Sequence, residues 1–164
     1  MELLELGQTL AGMLAGRQMK LGLAESCTGG LVADTITNVP GSSEFFAGSI
    51  VSYSNEVKEK VLGVPTALLV AHGAVSEEVA RAMARGAREA LGADIGLGIT
   101  GIAGPGGATA GKPVGLVHIA VAGPHGEACR KLEMQGERLE NKRGFAREAI
   151  ALLVAYVQDN GEPR

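Results

Sequence analysis

Short apolar runs alternate along this chain with stretches of helical periodicity, and that alternation limits the fold more than any other feature. Residues 20–25, 47–54 and 93–100 have the length and apolar content of strands. Residues 114–122 are apolar throughout, as in a central strand covered on both faces. Residues 128–134 alternate after a Pro124-His125-Gly126 turn, which predicts an edge strand paired to its predecessor. Between these runs, Leu3, Leu6, Leu10, Met13 and Leu14 predict a helix over 2–17, and shorter helices follow at 30–37 and 55–61. Ser76 reads as an N-cap with Glu77 and Glu78 in the first turn. Val79, Met83, Gly86 and Ala90 share that helix's face, and Gly92 ends it. A last helix spans 137–158, with Ala146, Ile150, Leu153, Val154 and Val157 on its buried side. The order predicts a three-layer α/β/α fold with a mixed, mostly parallel sheet of about five strands. It is expected to form one domain over 1–164, with 158–164 as a frayed tail.

Composition narrows the function classes. Glycine accounts for 25 of 164 residues, about twice the usual ~7%. Aromatic residues make up 3%, with no Trp, so the core is built from Ala, Val, Leu and Ile. The glycines follow no triplet period, which excludes collagen. The net charge of −3 and the lack of a Lys/Arg run argue against a nucleic-acid partner. No apolar stretch reaches the ~18 residues of a membrane span, and the N-terminus lacks a basic signal region. Cys27 and Cys129 form neither a CxxC nor a disulfide framework. A cytoplasmic protein without membrane contact is expected, and a homodimer or higher homo-oligomer by base rate.

Strand-to-helix junctions at carboxyl ends of strands line the binding crevice of an open α/β sheet, and three stretches fall there. The first is Glu25-Ser26-Cys27-Thr28-Gly29-Gly30, where a hydroxyl or thiol can protrude and the following helix N-terminus attracts anions. The second is Tyr53-Ser54-Asn55-Glu56-Val57-Lys58, where a lysine near a serine can act as general base once burial lowers its pKa. The third runs from Gly98 to Gly107 and includes Thr100, Gly101 and Gly104. It is neither a Walker motif nor a GxGxxG, but its N–H groups suit an anion nest or an oxyanion hole. Eight glycines concentrate in these stretches, at 29–30 and between 101 and 115, so the backbone itself is expected to line the site. His72, His118 and His125 show no metal-ligand spacing, and neither a metal nor another cofactor is expected. Arg138, Lys142 and Arg143 cluster where the last helix begins, either as an exposed face or reaching an anionic ligand.

These residues resemble the CinA C-terminal domain, the nicotinamide-nucleotide amidase family. The matching stretches are Ala24-Glu25-Ser26-Cys27-Thr28-Gly29-Gly30, Tyr53-Ser54-Asn55-Glu56-Val57-Lys58, His72-Gly73-Ala74-Val75-Ser76, Gly98-Ile99-Thr100-Gly101-Ile102-Ala103-Gly104-Pro105 and Lys112-Pro113-Val114-Gly115. They occur in family order and spacing across essentially the whole chain. Where the family often shows Gly-Asp-Arg and then Arg-Arg, this chain has Gly136-Glu137-Arg138 and Lys142-Arg143. The resemblance implies a hydrolase converting nicotinamide mononucleotide to nicotinic acid mononucleotide and ammonia, in the stand-alone form that lacks the extra N-terminal domain of some members.

Residues and resemblance fit one scheme. Ser26 attacks the carboxamide carbon, Lys58 takes the serine proton, and Tyr53 relays or orients it. N–H groups near Thr28-Gly29-Gly30 or Thr100-Gly101 hold the oxyanion. Asn55 supports the ring amide or the serine. The glycine-rich loop with Lys142 or Arg143 takes the 5′-phosphate, and Tyr53, Phe45 and Phe46 are the only aromatics near enough to stack on a ring. Cys27 is the rival nucleophile. A nucleotide-binding or regulatory module without turnover is the alternative from another class, and a structural subunit with an empty crevice is a third.

Overall fold

The computed structural model describes residues 1–160. In chain order it contains α1 (Leu3–Ala15), β1 (Leu21–Glu25), α2 (Leu31–Thr37), β2 (Phe46–Val51), α3 (Asn55–Lys60), α4 (Thr66–His72), α5 (Glu77–Ala90), β3 (Ile95–Gly101), β4 (Leu116–Gly123), β5 (Gly126–Glu133) and α6 (Arg138–Asp159). The strands form one mixed sheet in the order β2-β1-β3-β4-β5. The β1/β2 and β1/β3 ladders are parallel, and the β3/β4 and β4/β5 ladders antiparallel. Four strands therefore point one way and β4 alone runs against them.

Local sequence explains three of the helix starts. Ser54 and Ser76 cap α3 and α5, their hydroxyls accepting from the N–H of Val57 and Val79. Glu137 and Glu140 form a capping box that starts α6. Two features depart from the sequence expectation. The helix α4 has seven residues and buries only Leu69, so it offers too little periodicity to read. The other departure is at the C-terminus, where α6 continues through Asp159, so Gln158 and Asp159 are helical rather than part of a frayed tail. Residues 161–164 lie outside the described residues.

The sheet has one bulky face and one small one, set by the two-residue period of its strands. Leu21, Leu23, Ile95, Leu97, Ile99, Val117, Ile119 and Val121 share one core cluster with residues of α1, α2 and α6, among them Leu10, Leu14, Ile36, Phe145 and Leu153. The other face presents Gly22, Ala24, Gly96, Gly98, Ala120 and Ala122. Against it lies α5, whose Ala80 and Ala84 pack with Ala120 and Ala122. The approach is backbone to backbone: a Cβ at Gly96 would stand 2.0 Å from the Ala84 carbonyl oxygen, and one at Gly98 2.3 Å from that of Ala80. Part of the glycine excess is thus a packing requirement of the α5 layer.

Gly98→Ala is therefore expected to push α5 off the sheet and destabilise the fold by about 1–3 kcal/mol. Thermal unfolding should show a loss of about 2–4 °C in Tm per kcal/mol. An unchanged Tm would mean that α5 is free to shift.

Candidate active site

At the carboxyl end of β1 the chain turns toward β2. At the carboxyl end of β3 it turns the opposite way, toward β4. Such a reversal opens a crevice between neighbouring strands. The Ser26 N–H donates to the Ile99 carbonyl at 3.1 Å and ties the two strand ends together. A cavity of about 270 Å³ lies there, lined by Ser26 and Cys27 from the first junction and by Thr100 and its glycine-rich continuation from the other. Tyr53, Val75 and Arg138 lie on its walls as well.

Glu25 shapes the turn that carries Ser26. Its carboxylate is fully buried and accepts four hydrogen bonds. Oε1 takes the Thr28 hydroxyl at 2.8 Å and the Val32 N–H at 2.9 Å. Oε2 takes the Ala33 N–H at 3.2 Å and the Ser49 hydroxyl at 2.8 Å. A buried carboxylate is tolerable only when its lone pairs are satisfied in this way. It also fills the start of α2, so the helix terminus expected to attract a ligand anion is occupied by the protein's own carboxylate.

Opposite the turn lies Lys58, on the fourth residue of α3 and only 1% exposed. Its Nζ donates to Ser26 Oγ at 3.0 Å, the Ser52 carbonyl at 2.7 Å and the Tyr53 carbonyl at 3.1 Å. Burial lowers its pKa below the usual 10.5, and the Cys27 thiol opposes that shift. A neutral amine has two N–H donors and one lone pair. With both carbonyls taking an N–H, the lone pair is left for the Ser26 hydroxyl. The same contacts therefore serve a charged lysine as three donors and a neutral one as a base aimed at the serine.

Cys27 faces the cavity but is ill suited to attack. Burial pushes its thiol up to about 12, while its own backbone N–H, Lys58 and Lys142 pull the other way and the Glu25 charge adds to the rise. Arg138 supplies the cavity's cation. One terminal nitrogen donates to the Gly104 carbonyl at 2.7 Å and the other to the Tyr53 hydroxyl at 3.4 Å. Among the described residues no carboxylate pairs with it. A guanidinium has five N–H donors, so Arg138 keeps capacity for an anion.

Several expected site residues are placed elsewhere. Thr28 is buried with its hydroxyl on Glu25, and the Gly29 N–H is taken by the Ser26 carbonyl at 3.1 Å. Gly29 and Gly30 have left-handed φ values of 62° and 105°, which the turn requires, but neither lines the cavity. Of the glycines expected to line the site, Gly101, Gly104, Gly106 and Gly107 do so. Asn55 is exposed as the first residue of α3 and is absent from the cavity wall. Lys142 is absent from the cavity wall; its Nζ lies 3.6 Å from where a Cβ of Gly29 would stand. Arg143 is exposed and lines nothing there. The Tyr53 phenol bonds Arg138, not the Ser26–Lys58 pair; its backbone carbonyl is what holds the lysine. Phe45 is buried in the core and Phe46 packs beside it, so Tyr53 is the one aromatic on the cavity wall among the described residues. Thr100 lines the cavity with its hydroxyl donated to the Ala74 carbonyl at 2.9 Å.

The chain matches the CinA C-terminal domain over residues 4–157. It is 54% identical over 149 residues to a CinA-like protein of Anaeromyxobacter dehalogenans, which takes in 91% of this chain and 36% of that one. It is 52% identical over 141 residues to a putative competence-damage inducible protein of Moorella thermoacetica, 86% of this chain and 34% of the other. The chain thus spans about a third of the length of these curated relatives. A CinA superfamily protein of Klebsiella pneumoniae superposes with a TM-score of 0.93 at 31% identity, covering 97% of this chain and 99% of that one. The competence/damage inducible protein CihA of Agrobacterium tumefaciens does so with a TM-score of 0.87 at 39% identity, covering 93% and 94%. Sequence match, fold and the order of the junction motifs agree, and the chain belongs to the CinA C-terminal domain family.

Proposed function

We propose that this chain hydrolyses the carboxamide of nicotinamide mononucleotide, with Ser26 as nucleophile and Lys58 as general base. The observation that carries this reading is the buried Lys58 Nζ, 3.0 Å from Ser26 Oγ and otherwise bonded only to two carbonyls. That is the arrangement of a serine activated by a neutral amine. The Ser26 hydroxyl proton passes to Nζ as the Oγ–C bond forms. The resulting ammonium protonates the leaving nitrogen, the C–N bond breaks, and ammonia departs. Lys58, neutral again, then deprotonates water, which attacks the acyl-serine and regenerates Ser26. No group outside this chain and water is required for these steps. The N–H groups of Cys27 and Thr28, which have no backbone acceptor among the described residues, are the candidate oxyanion donors next in sequence to the nucleophile. One such donor contributes about 3 kcal/mol to lowering the barrier.

Recognition follows from the walls. A cavity of this size suits a single small ligand rather than a polymer. The Arg138 guanidinium, which no carboxylate pairs among the described residues, is the natural partner for the 5′-phosphate. It takes over the role expected of Lys142 or Arg143, because it alone of the three reaches the cavity wall.

The direct test is ammonia release from the mononucleotide by the purified chain. Ser26→Ala is expected to reduce kcat by at least about a thousandfold, and Cys27→Ala to keep kcat within about threefold. Binding of the mononucleotide without ammonia release would make the chain a nucleotide-binding module instead. Loss of activity in Cys27→Ala alone would transfer the nucleophile's role to the thiol.

Thiol chemistry offers an independent check. With its pKa near 12, Cys27 is expected to resist iodoacetamide in the native protein at pH 8. Its thiolate fraction there is on the order of one in ten thousand. Rapid alkylation at Cys27, read by intact and peptide mass, would contradict this.

For Lys58 the sign of the pH dependence is set by burial. The free enzyme gains its base as the lysine loses a proton, so kcat/KM should rise with pH and level off below pH 10.5. Unfolding free energy should rise over the same window, because only the unfolded chain still binds that proton. Lys58→Arg should lower kcat by about 10²–10⁴-fold. A pH-independent rate between pH 6 and 10, or a wild-type rate for Lys58→Arg, would remove Lys58 from the scheme.

A further inference from the structure

The start of α6 carries a buried side chain that the reaction scheme leaves without a role. Asn141 is 1% exposed, one turn into the helix from Arg138. Its amide pairs with both polar groups of one backbone residue: Oδ1 accepts the Gly136 N–H at 3.0 Å, and Nδ2 donates to the Gly136 carbonyl at 2.9 Å. The second Nδ2 hydrogen goes to the Ala103 carbonyl at 3.0 Å, in the glycine-rich loop. The next carbonyl of that loop, on Gly104, is the one that Arg138 holds. Two successive loop carbonyls are therefore gripped from the first turn of α6, one by the residue facing the cavity and one by the residue buried behind it. Gly136 has room for this pairing because it lacks a side chain; a Cβ there would stand 3.2 Å from Asn141 Oδ1 and 2.9 Å from Glu140 Cβ.

We infer that Asn141 is a positioning residue for the anionic end of the substrate. It locks the α6 N-terminus onto the 103–104 segment, and so fixes where the Arg138 guanidinium lies across the cavity from Ser26. The inference rests on the reading of the cavity as a site for a phosphorylated nucleotide. Asn141 touches no substrate in this account. It acts through Arg138, whose flexible side chain is held otherwise, among the described residues, by the Gly104 carbonyl and the exposed Tyr53 phenol.

A buried amide is uniquely suited to this task. It offers a donor pair and an acceptor in one plane without introducing charge. Leucine has a similar volume but satisfies none of the three backbone groups. Aspartate keeps the acceptor for Gly136 but sets a carboxylate against two carbonyls.

The experiment compares Asn141→Leu, Asn141→Ser and Arg138→Gln, singly and with Asn141→Ser combined with Arg138→Gln. Each is assayed on nicotinamide mononucleotide and on nicotinamide riboside, which has the same carboxamide and no phosphate. Calorimetric binding of the mononucleotide is read in parallel, and Tm is recorded for every variant. Asn141→Ser is expected to raise KM and Kd for the mononucleotide about tenfold. It should leave kcat within about twofold and the riboside kcat/KM unchanged. In the double variant the penalty should not exceed that of Arg138→Gln alone, because coupled residues are not additive. Equal losses on both substrates, or full additivity with Arg138→Gln, would overturn the inference and leave Asn141 a structural residue. If Asn141→Leu unfolds, Asn141→Ser decides the matter on its own. Should the wild-type chain bind the mononucleotide without hydrolysing it, the amidase reading fails and the Kd values still decide on Asn141. Wild-type protein that neither binds nor hydrolyses it would overturn both.

Discussion

The buried carboxylate of Glu25 is the constraint around which the site is arranged. Removing a charge from water is costly unless every lone pair finds a donor. The chain supplies those donors from the first turn of α2, from Thr28 and from Ser49 of β2. Satisfying the carboxylate therefore forces α2, β1 and β2 into one relative placement. The backbone of Glu25 extends the same control. Its carbonyl accepts from both the N–H and the hydroxyl of Ser52. The Ser52 carbonyl in turn holds Lys58. One residue thus fixes both the turn that presents Ser26 and the strand end that holds Lys58.

The two buried ionisable side chains are handled in opposite ways. The carboxylate is surrounded by donors. The amine is surrounded by acceptors and by one hydroxyl, with no carboxylate bonded to it among the described residues. Its charged form has no counter-ion in contact, so desolvation works toward neutrality. The same burial raises the Cys27 thiol and suppresses its thiolate. Burial at one place therefore favours a neutral lysine and a neutral thiol together.

Glycine has two roles here, and only one is at the site. Four glycines of the 101–107 loop bring backbone to the cavity wall. Gly96 and Gly98 instead bring the sheet against α5, where any side chain would overlap a helix carbonyl. The alternation Ile95-Gly96-Leu97-Gly98-Ile99 carries that information in plain view. A period of two with large and small members describes a sheet with unequal faces. Gly29 and Gly30, which share a motif with Ser26, serve the turn's left-handed backbone and do not line the cavity.

Local pattern alone determined the alternating α/β order, the edge hairpin, the Ser76 cap and the three strand-end junctions, because periodicity and capping act over a few residues. It also marked Ser26 and Lys58 as a pair worth joining. Other assignments required distances across the fold. Tertiary structure alone decided that Asn55 faces away and that Arg138, not Lys142 or Arg143, reaches the cavity. Three cations within six residues of a helix differ mainly in direction, and direction is set by how the helix packs. The same holds for Asn141, whose partners lie in the preceding turn and in a loop 38 residues away. Its importance comes from burial and from backbone groups that a sequence does not display. A buried amine's pKa likewise depends on what surrounds it, and those surroundings are assembled only when β1, β2 and α3 come together.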